Sequence, residues 1–379
     1  MNTCTPNENI PSARYMLAII GYGCMLIFLS TAGCGANLTE QHSSPSNIKL
    51  VEEHSWDIKP AQQWHIRGVA FTPSSNELFS GWPHRTGRLL DIRTGKVILE
   101  LESDLSVSLR QAGFAEGCFR AVAVSRDGLF GLTGSTTILS PTGDPVKHDG
   151  EARLWDLRNG RLVRKLRMNS DMVTGVAFSS TGQVATSSSN GKIMLWDLSH
   201  EEPINTFTTG ESSTYVVAFS PNGKYLLSAG SSSIAVFWEV GTGKELWRFT
   251  GEQRNFTAVT FSPNGKEAVL TDFGGVCYVI DTNNGRSIHH VQIPQVRIDG
   301  IAFSPSGDVI AVAETTVELK DKSHPAEKSE IRLLDAKSWQ TCYVTSPIGT
   351  HPWAVCFSKD GSRLACSADD RVMVWQVRR

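Results

Sequence analysis

One unit is repeated along most of this chain, and it constrains the fold more than any other feature. Its clearest copy is residues 214–249, TYVVAFSPNGKYLLSAGSSSIAVFWEVGTGKELWRF. Apolar, β-branched runs alternate there with turn residues such as Pro221, Asn222 and Gly223, which predicts four short strands joined by tight turns. A small sheet of this kind is apolar on both faces, so it needs copies of itself on either side.

Seven copies of this unit follow one another, and each carries two marker positions. One is an anchor in the first strand, aromatic in all but one copy. The other lies at the end of the third strand and is acidic in all but the last copy. The anchors are Phe71, Val124, Phe178, Phe219, Phe261, Phe303 and Phe357. The third-strand positions are Asp91, Asp156, Asp197, Glu239, Asp281, Asp335 and Gln376.

The spacing of these markers is regular. Five copies place the third-strand residue 19 or 20 residues after the anchor, and five of the six steps to the next anchor are 22 residues. A period of about 42 residues with four strands in each unit is typical of a β-propeller. The predicted fold class is therefore all-β, a seven-bladed propeller of four-stranded antiparallel blades.

The unit resembles the WD-repeat family, most clearly at the Leu-Trp-Asp sequences of residues 154–156 and 195–197. The resemblance covers residues 48–379 and is specific for the fold but weak for function. The family's Gly-His pair, which the resemblance places nine residues ahead of the anchor, is missing from every copy. We therefore expect the blades to cohere through apolar packing and not through the family's buried His–Asp hydrogen-bond network.

The last copy lacks a fourth strand, because the chain ends at Arg379 directly after its third strand. Residues 48–58, IKLVEEHSWDI, precede the first copy and have no blade of their own. An unpaired sheet edge exposes backbone groups that other chains can pair with. We predict that residues 48–58 supply the missing strand and close the ring.

The N-terminal residues 1–34 are typical of an export signal. Met16–Ala32 is an uncharged apolar run of 17 residues, shorter than most membrane-spanning helices. The sequence TAGC at residues 31–34 resembles the lipobox of bacterial lipoproteins, which implies a lipid on Cys34 and anchoring at the cell envelope, on the outer-membrane or periplasmic side. Residues 35–47 predict a flexible tether. Plain secretion and an uncleaved anchor are the alternatives, since the lipobox Leu is absent and only one basic residue precedes the apolar run.

Three insertions interrupt the regular spacing, within Glu102–Gly117, Thr136–Asp149 and Thr315–Ser329. The first lies between two units, and the other two lie between strands two and three of a unit. In an up-and-down sheet these connections share one end, the end at which each first strand begins. We call this end of the propeller the insertion face. Loops on rigid scaffolds often carry binding residues, although tolerated surface insertion is the alternative.

Side-chain alternation places a candidate site on the insertion face. Residues four and six positions before each anchor point the same way at that end of the first strand. Large or charged side chains at these positions concentrate on units one, two, six and seven. The predicted binding residues for a protein or peptide partner are His65, Arg67, Arg120, Tyr215, Arg297, Asp299, His351 and Trp353. The alternative is that Arg and Asp pair between blades and Trp353 fills a gap.

The sequence shows no metal, cofactor or nucleic-acid signature. The eight Cys have no CxxC spacing, and a net charge of −2 provides no basic field. Cys356 and Cys366 lie on neighbouring strands of the seventh unit. They could form a disulfide in an oxidising compartment, or they could be buried free thiols. We expect a non-enzymatic protein. One alternative is a catalytic propeller, a hydrolase or redox enzyme, with His65, His351 and Asp299 at the central channel. A third possibility is a structural subunit of the cell envelope.

Overall fold

β-strands make up nearly all the regular structure of the protein. The computed structural model describes residues 48–57, 66–82, 86–101, 115–116, 121–134, 137–139, 145–148, 150–168, 172–252, 254–318, 326–349 and 351–379. Within these ranges the strands form seven four-stranded sheets and one three-stranded sheet, all antiparallel, together with a short 3₁₀ helix at Ser231–Ser233. The predicted all-β propeller of seven blades is confirmed.

The first two blades are interrupted by the first two insertions. The chain begins with β1 (Lys49–Asp57). Blade 1 contains β2 (Gly68–Phe71), β3 (Glu77–Trp82), β4 (Thr86–Asp91) and β5 (Lys96–Leu101). The short strands of the insertions are β6 (Ala115–Glu116), β9 (Thr137–Leu139) and β10 (Pro145–His148). Blade 2 contains β7 (Ala121–Val124), β8 (Phe130–Gly134), β11 (Glu151–Asp156) and β12 (Arg161–Arg167).

The next three blades follow the repeat without interruption. Blade 3 contains β13 (Val173–Phe178), β14 (Val184–Ser188), β15 (Lys192–Trp196) and β16 (Asn205–Thr208). Blade 4 contains β17 (Thr214–Phe219), β18 (Tyr225–Gly230), β19 (Ile234–Glu239) and β20 (Glu245–Thr250). Blade 5 contains β21 (Phe256–Phe261), β22 (Glu267–Asp272), β23 (Val276–Asp281) and β24 (Ser287–Gln292).

The last two blades include the third insertion and the chain end. Blade 6 contains β25 (Val296–Phe303), β26 (Val309–Glu318), β27 (Ala326–Asp335) and β28 (Thr341–Val344). Blade 7 contains β29 (Pro352–Phe357), β30 (Arg363–Ala368) and β31 (Arg371–Arg378), and β1 is its fourth strand.

The first strands of the blades form a closed ring. Each of β2, β7, β13, β17, β21, β25 and β29 contacts the first strand of the next blade, and β29 contacts β2. Glycine permits this close approach at two of the seams. A Cβ on Gly68 would lie 3.0 Å from the backbone nitrogen of Val122, and one on Gly300 would lie 3.1 Å from Cα of Ala354.

Seven apolar clusters hold the blades together, one at each blade–blade interface. Phe79 of blade 1 packs with Trp155 of blade 2, for example, and Phe237 of blade 4 packs with Phe256 of blade 5. Each blade therefore buries both of its faces against its neighbours, as the repeat predicts.

The blades cohere through apolar packing, as expected, and three blades contain in addition a buried indole–hydroxyl hydrogen bond between two of their own strands. In each, the Trp of the third strand donates from Nε1 to a hydroxyl on the second strand at 2.9–3.0 Å. The pairs are Trp155 with Thr133, Trp196 with Thr186, and Trp238 with Ser228. A buried indole N–H needs such a partner, which the search for a Gly-His pair did not reveal.

The N-terminal strand closes the ring, as predicted. β1 pairs with β31 from Lys49 opposite Arg378 to Asp57 opposite Arg371. Ile48 and Leu50 are buried in the cluster between blades 6 and 7. An ion pair of 2.8 Å between Glu53 and Arg363 of β30 adds a polar contact across β31.

The first two insertions meet in a small sheet. β6 pairs with β9, and β9 pairs with β10, so a segment between blades 1 and 2 joins a segment within blade 2. The third insertion lengthens β26 and β27, which pair out to Glu318 opposite Ala326. The described parts of all three insertions therefore lie at the end where the first strands begin.

Register shows that Cys356 and Cys366 are free thiols and not a disulfide. Cys366 lies opposite Val355, so Cys356 points to the other face of the sheet. The two side chains pack in different apolar clusters. Burial raises the pKa of Cys356 to about 12 and also raises the pKa of Cys366, which leaves both unreactive at neutral pH.

The export signal, Cys34 and the tether lie outside the described residues. Within the described part of the chain, no helix combines the length and the apolar character that crossing a membrane requires.

The acidic residue that ends the third strand stabilises the turn after it. In blade 2, Asp156 accepts hydrogen bonds from the backbone N–H of Arg158 (2.9 Å), from the Arg158 guanidinium (2.7 Å) and from the Asn159 amide (3.2 Å). These bonds, with the Arg158 side chain first, lower the pKa of Asp156 from 3.8 to about 2.

Leu50→Ala is expected to lower the free energy of unfolding by about 2–4 kcal/mol, because it opens a cavity where β1 meets the blade 6–7 cluster. Val51→Ala, on the exposed face of the same strand, is the control and should change it by less than about 0.5–1 kcal/mol. Chemical denaturation of the full chain measures both. Equal effects of the two substitutions would contradict the role of β1 in closing the ring.

Asp156→Asn should lower the melting temperature at pH 7, and the difference from the unmodified chain should shrink as the pH falls from about 4 to about 2. The folded-state pKa is depressed, so ionised Asp156 stabilises the fold above its unfolded pKa, and this contribution disappears on protonation. Melting curves between pH 2 and pH 7 measure the difference. A difference that stays constant across that range would show that the Asp156 charge does not stabilise the turn.

Candidate functional site

Five of the eight predicted binding residues come together on the insertion face, at the meeting point of blades 6, 7 and 1. They lie close together because β25 contacts β29 and β29 contacts β2 in the inner ring. The residues are Arg67, Arg297, Asp299, His351 and Trp353, and we call them the rim cluster.

Asp299 joins blades 6 and 7 within this cluster. Arg297 donates to Oδ1 of Asp299 from Nε at 2.9 Å and from Nη2 at 2.6 Å. His351 Nε2 of blade 7 lies 3.1 Å from Oδ2 of the same carboxylate. The Asp299 side chain is only 5% exposed, so the adjacent cation compensates a charge that water hardly reaches.

Trp353 lies between two guanidinium groups. The Cζ atom of Arg67 is 4.0 Å from the centre of the indole ring, and that of Arg297 is 5.6 Å from it. The His351 ring meets the indole edge-on at 4.7 Å. The indole Nε1 donates to Oδ1 of Asp369 at 2.7 Å, which fixes the plane of the ring. Cation–π contacts of this kind require the cation over an aromatic face.

Phe273 extends the cluster into blade 5, and the sequence reasoning missed it. Its side chain is 41% exposed, and Arg297 lies over its ring with Cζ at 4.8 Å from the centre. Phe273 stands in the turn between β22 and β23, which the buried Asp272 orders by accepting the backbone N–H of Gly274 (2.8 Å) and Val276 (3.0 Å). The sequence signal that could have indicated this residue is a Phe followed by Gly-Gly in a short turn between two predicted strands.

The remaining predicted residues lie elsewhere. His65 and Arg120 are outside the described residues. Tyr215 is on β17 of blade 4, three blades away from Trp353, where it is half-buried. The rim cluster therefore occupies one sector of the insertion face and not the whole circumference.

His351 and Asp299, two of the three residues of the catalytic alternative, lie within hydrogen-bond distance of each other in the rim cluster. His351 lies between Asp299 and Thr315, with Nδ1 at 3.0 Å from the Thr315 hydroxyl. A nucleophile needs access to its substrate, and Thr315 is only 2% exposed. This geometry favours orientation of His351 over attack by Thr315.

Two cavities bordered by described residues lie at the opposite end, where strands one and two are joined. One of about 560 Å³ is bordered by Tyr225 and Lys266, and one of about 230 Å³ by Pro73 and Lys359. Across the described ranges, no group of three or more His, Cys, Asp or Glu side chains could hold a metal ion.

Three segments of the chain match the WD40 family, described as "WD domain, G-beta repeat", at residues 160–197, 201–239 and 341–376. Each segment contains the fourth strand of one blade and the first three strands of the next. The chain therefore contains WD40 repeats that are offset by one strand from the blades. β1, a fourth strand that comes before the first complete unit, shows the same offset.

Several curated relatives match parts of the chain. "Activating molecule in BECN1-regulated autophagy protein 1A" of Danio rerio is 37% identical over 83 residues, 21% of this chain and 6% of that protein. "WD repeat and SOCS box-containing protein 1" of Takifugu rubripes is 27% identical over 96 residues, 24% of this chain and 22% of that protein. "Mitochondrial division protein 1" of Eremothecium gossypii is 32% identical over 123 residues, 31% of this chain and 16% of that protein. In each case the match spans less than a quarter of the relative.

Proposed function

We propose that this protein is a non-enzymatic scaffold that binds a protein or peptide partner through the insertion face of its propeller. The observation that carries the proposal is the rim cluster, in which Trp353 lies between Arg67 and Arg297, and Arg297 also lies over the exposed Phe273. Trp and Arg are the side chains on which the affinity of protein interfaces most often depends.

The surroundings of the cluster support binding because they hold its side chains in place before a partner arrives. Asp369 fixes the indole of Trp353, and Asp299 fixes the guanidinium of Arg297. Side chains that are already ordered lose less conformational entropy on association. The described parts of the inserted segments lie at the same end of the propeller and enlarge the surface available there.

The comparisons support a scaffold as well. WD40 propellers typically bind protein partners, and the repeat match covers parts of blades 2–4, 6 and 7. The names of two relatives refer to regulated autophagy and to a SOCS box. Because those matches are short, they support the class of function and not a particular partner or process.

We also propose that a lipid on Cys34 anchors the protein at the cell envelope, on the outer-membrane or periplasmic side. The support is the uncharged run Met16–Ala32 followed by the lipobox-like sequence of residues 31–34. One lipid chain alone gives weak anchoring, whereas the several acyl chains of a lipoprotein anchor hold a protein stably. Residues 35–47 then separate the propeller from the membrane.

Trp353→Ala should reduce recovery of the partner about tenfold or more when the full-length protein is photo-crosslinked in intact cells. Trp339→Ala is the matched control, since Trp339 is also half-buried but lies at the opposite end of blade 6. Quantitative mass spectrometry of the crosslinked products measures the recovery. If the two variants lose the partner equally, or neither does, binding through the insertion face is wrong.

Cys34→Ser should move the protein from the membrane fraction to the soluble fraction and abolish incorporation of a fatty-acid analogue. Cys24→Ser, in the apolar run, should leave both properties unchanged. Cell fractionation and metabolic labelling measure the two effects. Membrane association and labelling that survive in Cys34→Ser would reject the lipid anchor on this residue.

A further inference from the structure

Three residues of the rim cluster belong to a row of stacked side chains that crosses four consecutive blades. The row runs from Phe273 on blade 5 to Arg297 on blade 6, Trp353 on blade 7 and Arg67 beside blade 1. Aromatic rings and guanidinium groups alternate along it, with each Cζ atom 4.0–5.6 Å from the centre of the neighbouring ring. We call this set the stacked row.

In the Arg297–Asp299 pair of the stacked row, the positive charge lies nearer the surface than the negative charge. The Arg297 side chain is 32% exposed, whereas Asp299 beneath it is 5% exposed. The order is reversed at Arg88 and Glu100, whose side chains are 29% and 48% exposed. The nearby Asp370 is engaged with the neighbouring Arg371 at 3.0 Å. The more exposed group of the Arg297–Asp299 pair is therefore the guanidinium, which presents its N–H donors at the outer surface of the row.

The geometry also argues against a cationic ligand. An aromatic cage binds a cation on an open ring face. Arg67 and Arg297 both lie over the ring of Trp353, and their charges would repel a further cation. A planar guanidinium binds a carboxylate through parallel N–H donors, and stacking on an aromatic ring orients its plane.

We infer that the partner segment is an acidic peptide, whose carboxylates contact Arg67 and Arg297 on either side of Trp353 and whose apolar residue packs on Phe273. This inference rests on the proposed function and names the chemistry of its partner. Nucleic acid is the other large anionic class, but a net charge of −2 and a pI of about 6.6 do not favour a phosphate backbone.

The test measures binding of fluorescein-labelled peptides to the full-length protein by fluorescence anisotropy. One peptide repeats Gly-Glu-Phe-Glu, and its matched partner repeats Gly-Gln-Phe-Gln. The Glu peptide should bind at least about tenfold more tightly at low salt, and its affinity should fall as the ionic strength rises. Equal affinity for the two peptides would overturn the inference.

Substitutions in the stacked row test whether the peptide binds there. Arg297→Gln and Arg67→Gln should each weaken binding of the Glu peptide about tenfold, and Phe273→Ala should weaken both peptides alike. Arg158→Gln is the matched control, because Arg158 also covers a sheltered carboxylate but lies at the opposite face. An equal loss in Arg158→Gln would overturn the inference.

Two further measurements separate the remaining outcomes. Arg297→Lys keeps the charge but not the planar stack, so it should retain part of the affinity with an unchanged melting temperature. A labelled oligo-dT that binds more tightly than the Glu peptide, and loses affinity in the same variants, would overturn the peptide in favour of nucleic acid. If crosslinking still depends on Trp353 while the Glu peptide shows no preference, the proposed function stands and the acidic partner is wrong.

Discussion

Burial of apolar surface between neighbouring blades holds this structure together, and it is complete only because the ring closes. Each of the seven clusters draws side chains from two adjacent blades, so no blade contains a core of its own. The ring closes because the fourth strand of blade 7 comes from the other end of the propeller sequence. β1 is the first described strand, and it pairs with β31, the last strand. The first and last strands of the propeller therefore stabilise each other.

The candidate site follows from the same closure. Arg67 precedes blade 1 and Trp353 belongs to blade 7, so they meet only where the two ends of the ring join. Arg297 and Asp299 approach them because β25 lies against β29. The surface that we propose for partner binding thus spans the seam. A loss of closure would separate its components as well as expose apolar surface.

Much of the fold could be predicted from the sequence because its determinants are local and repeated. The anchors from Phe71 to Phe357 and their spacing predict the blade count, and the missing fourth strand predicts the role of β1. Five of the eight site residues could also be placed together, since alternation along a strand and order around a ring determine which side chains share one end. Their roles in binding remain proposals.

Other features could not be predicted because they depend on contacts between segments distant in sequence. The contribution of Phe273 requires the turn that Asp272 orders and the neighbouring guanidinium of Arg297. Each Trp–hydroxyl hydrogen bond depends on which residues of the second and third strands lie opposite each other. A search for the Gly-His pair gives no information on that register. The state of Cys356 and Cys366 likewise depends on whether their side chains share a face, which pairing with Val355 decides.

The most direct test of ring closure is a disulfide between the two strands that meet at the seam. Val51 lies opposite Gln376 in the β1–β31 pairing. The full-length double variant Val51→Cys, Gln376→Cys, oxidised and mapped by mass spectrometry, should form this crosslink within one chain and melt at a higher temperature than its reduced form. If the two cysteines stay reduced, or pair only between chains, β1 does not close the propeller.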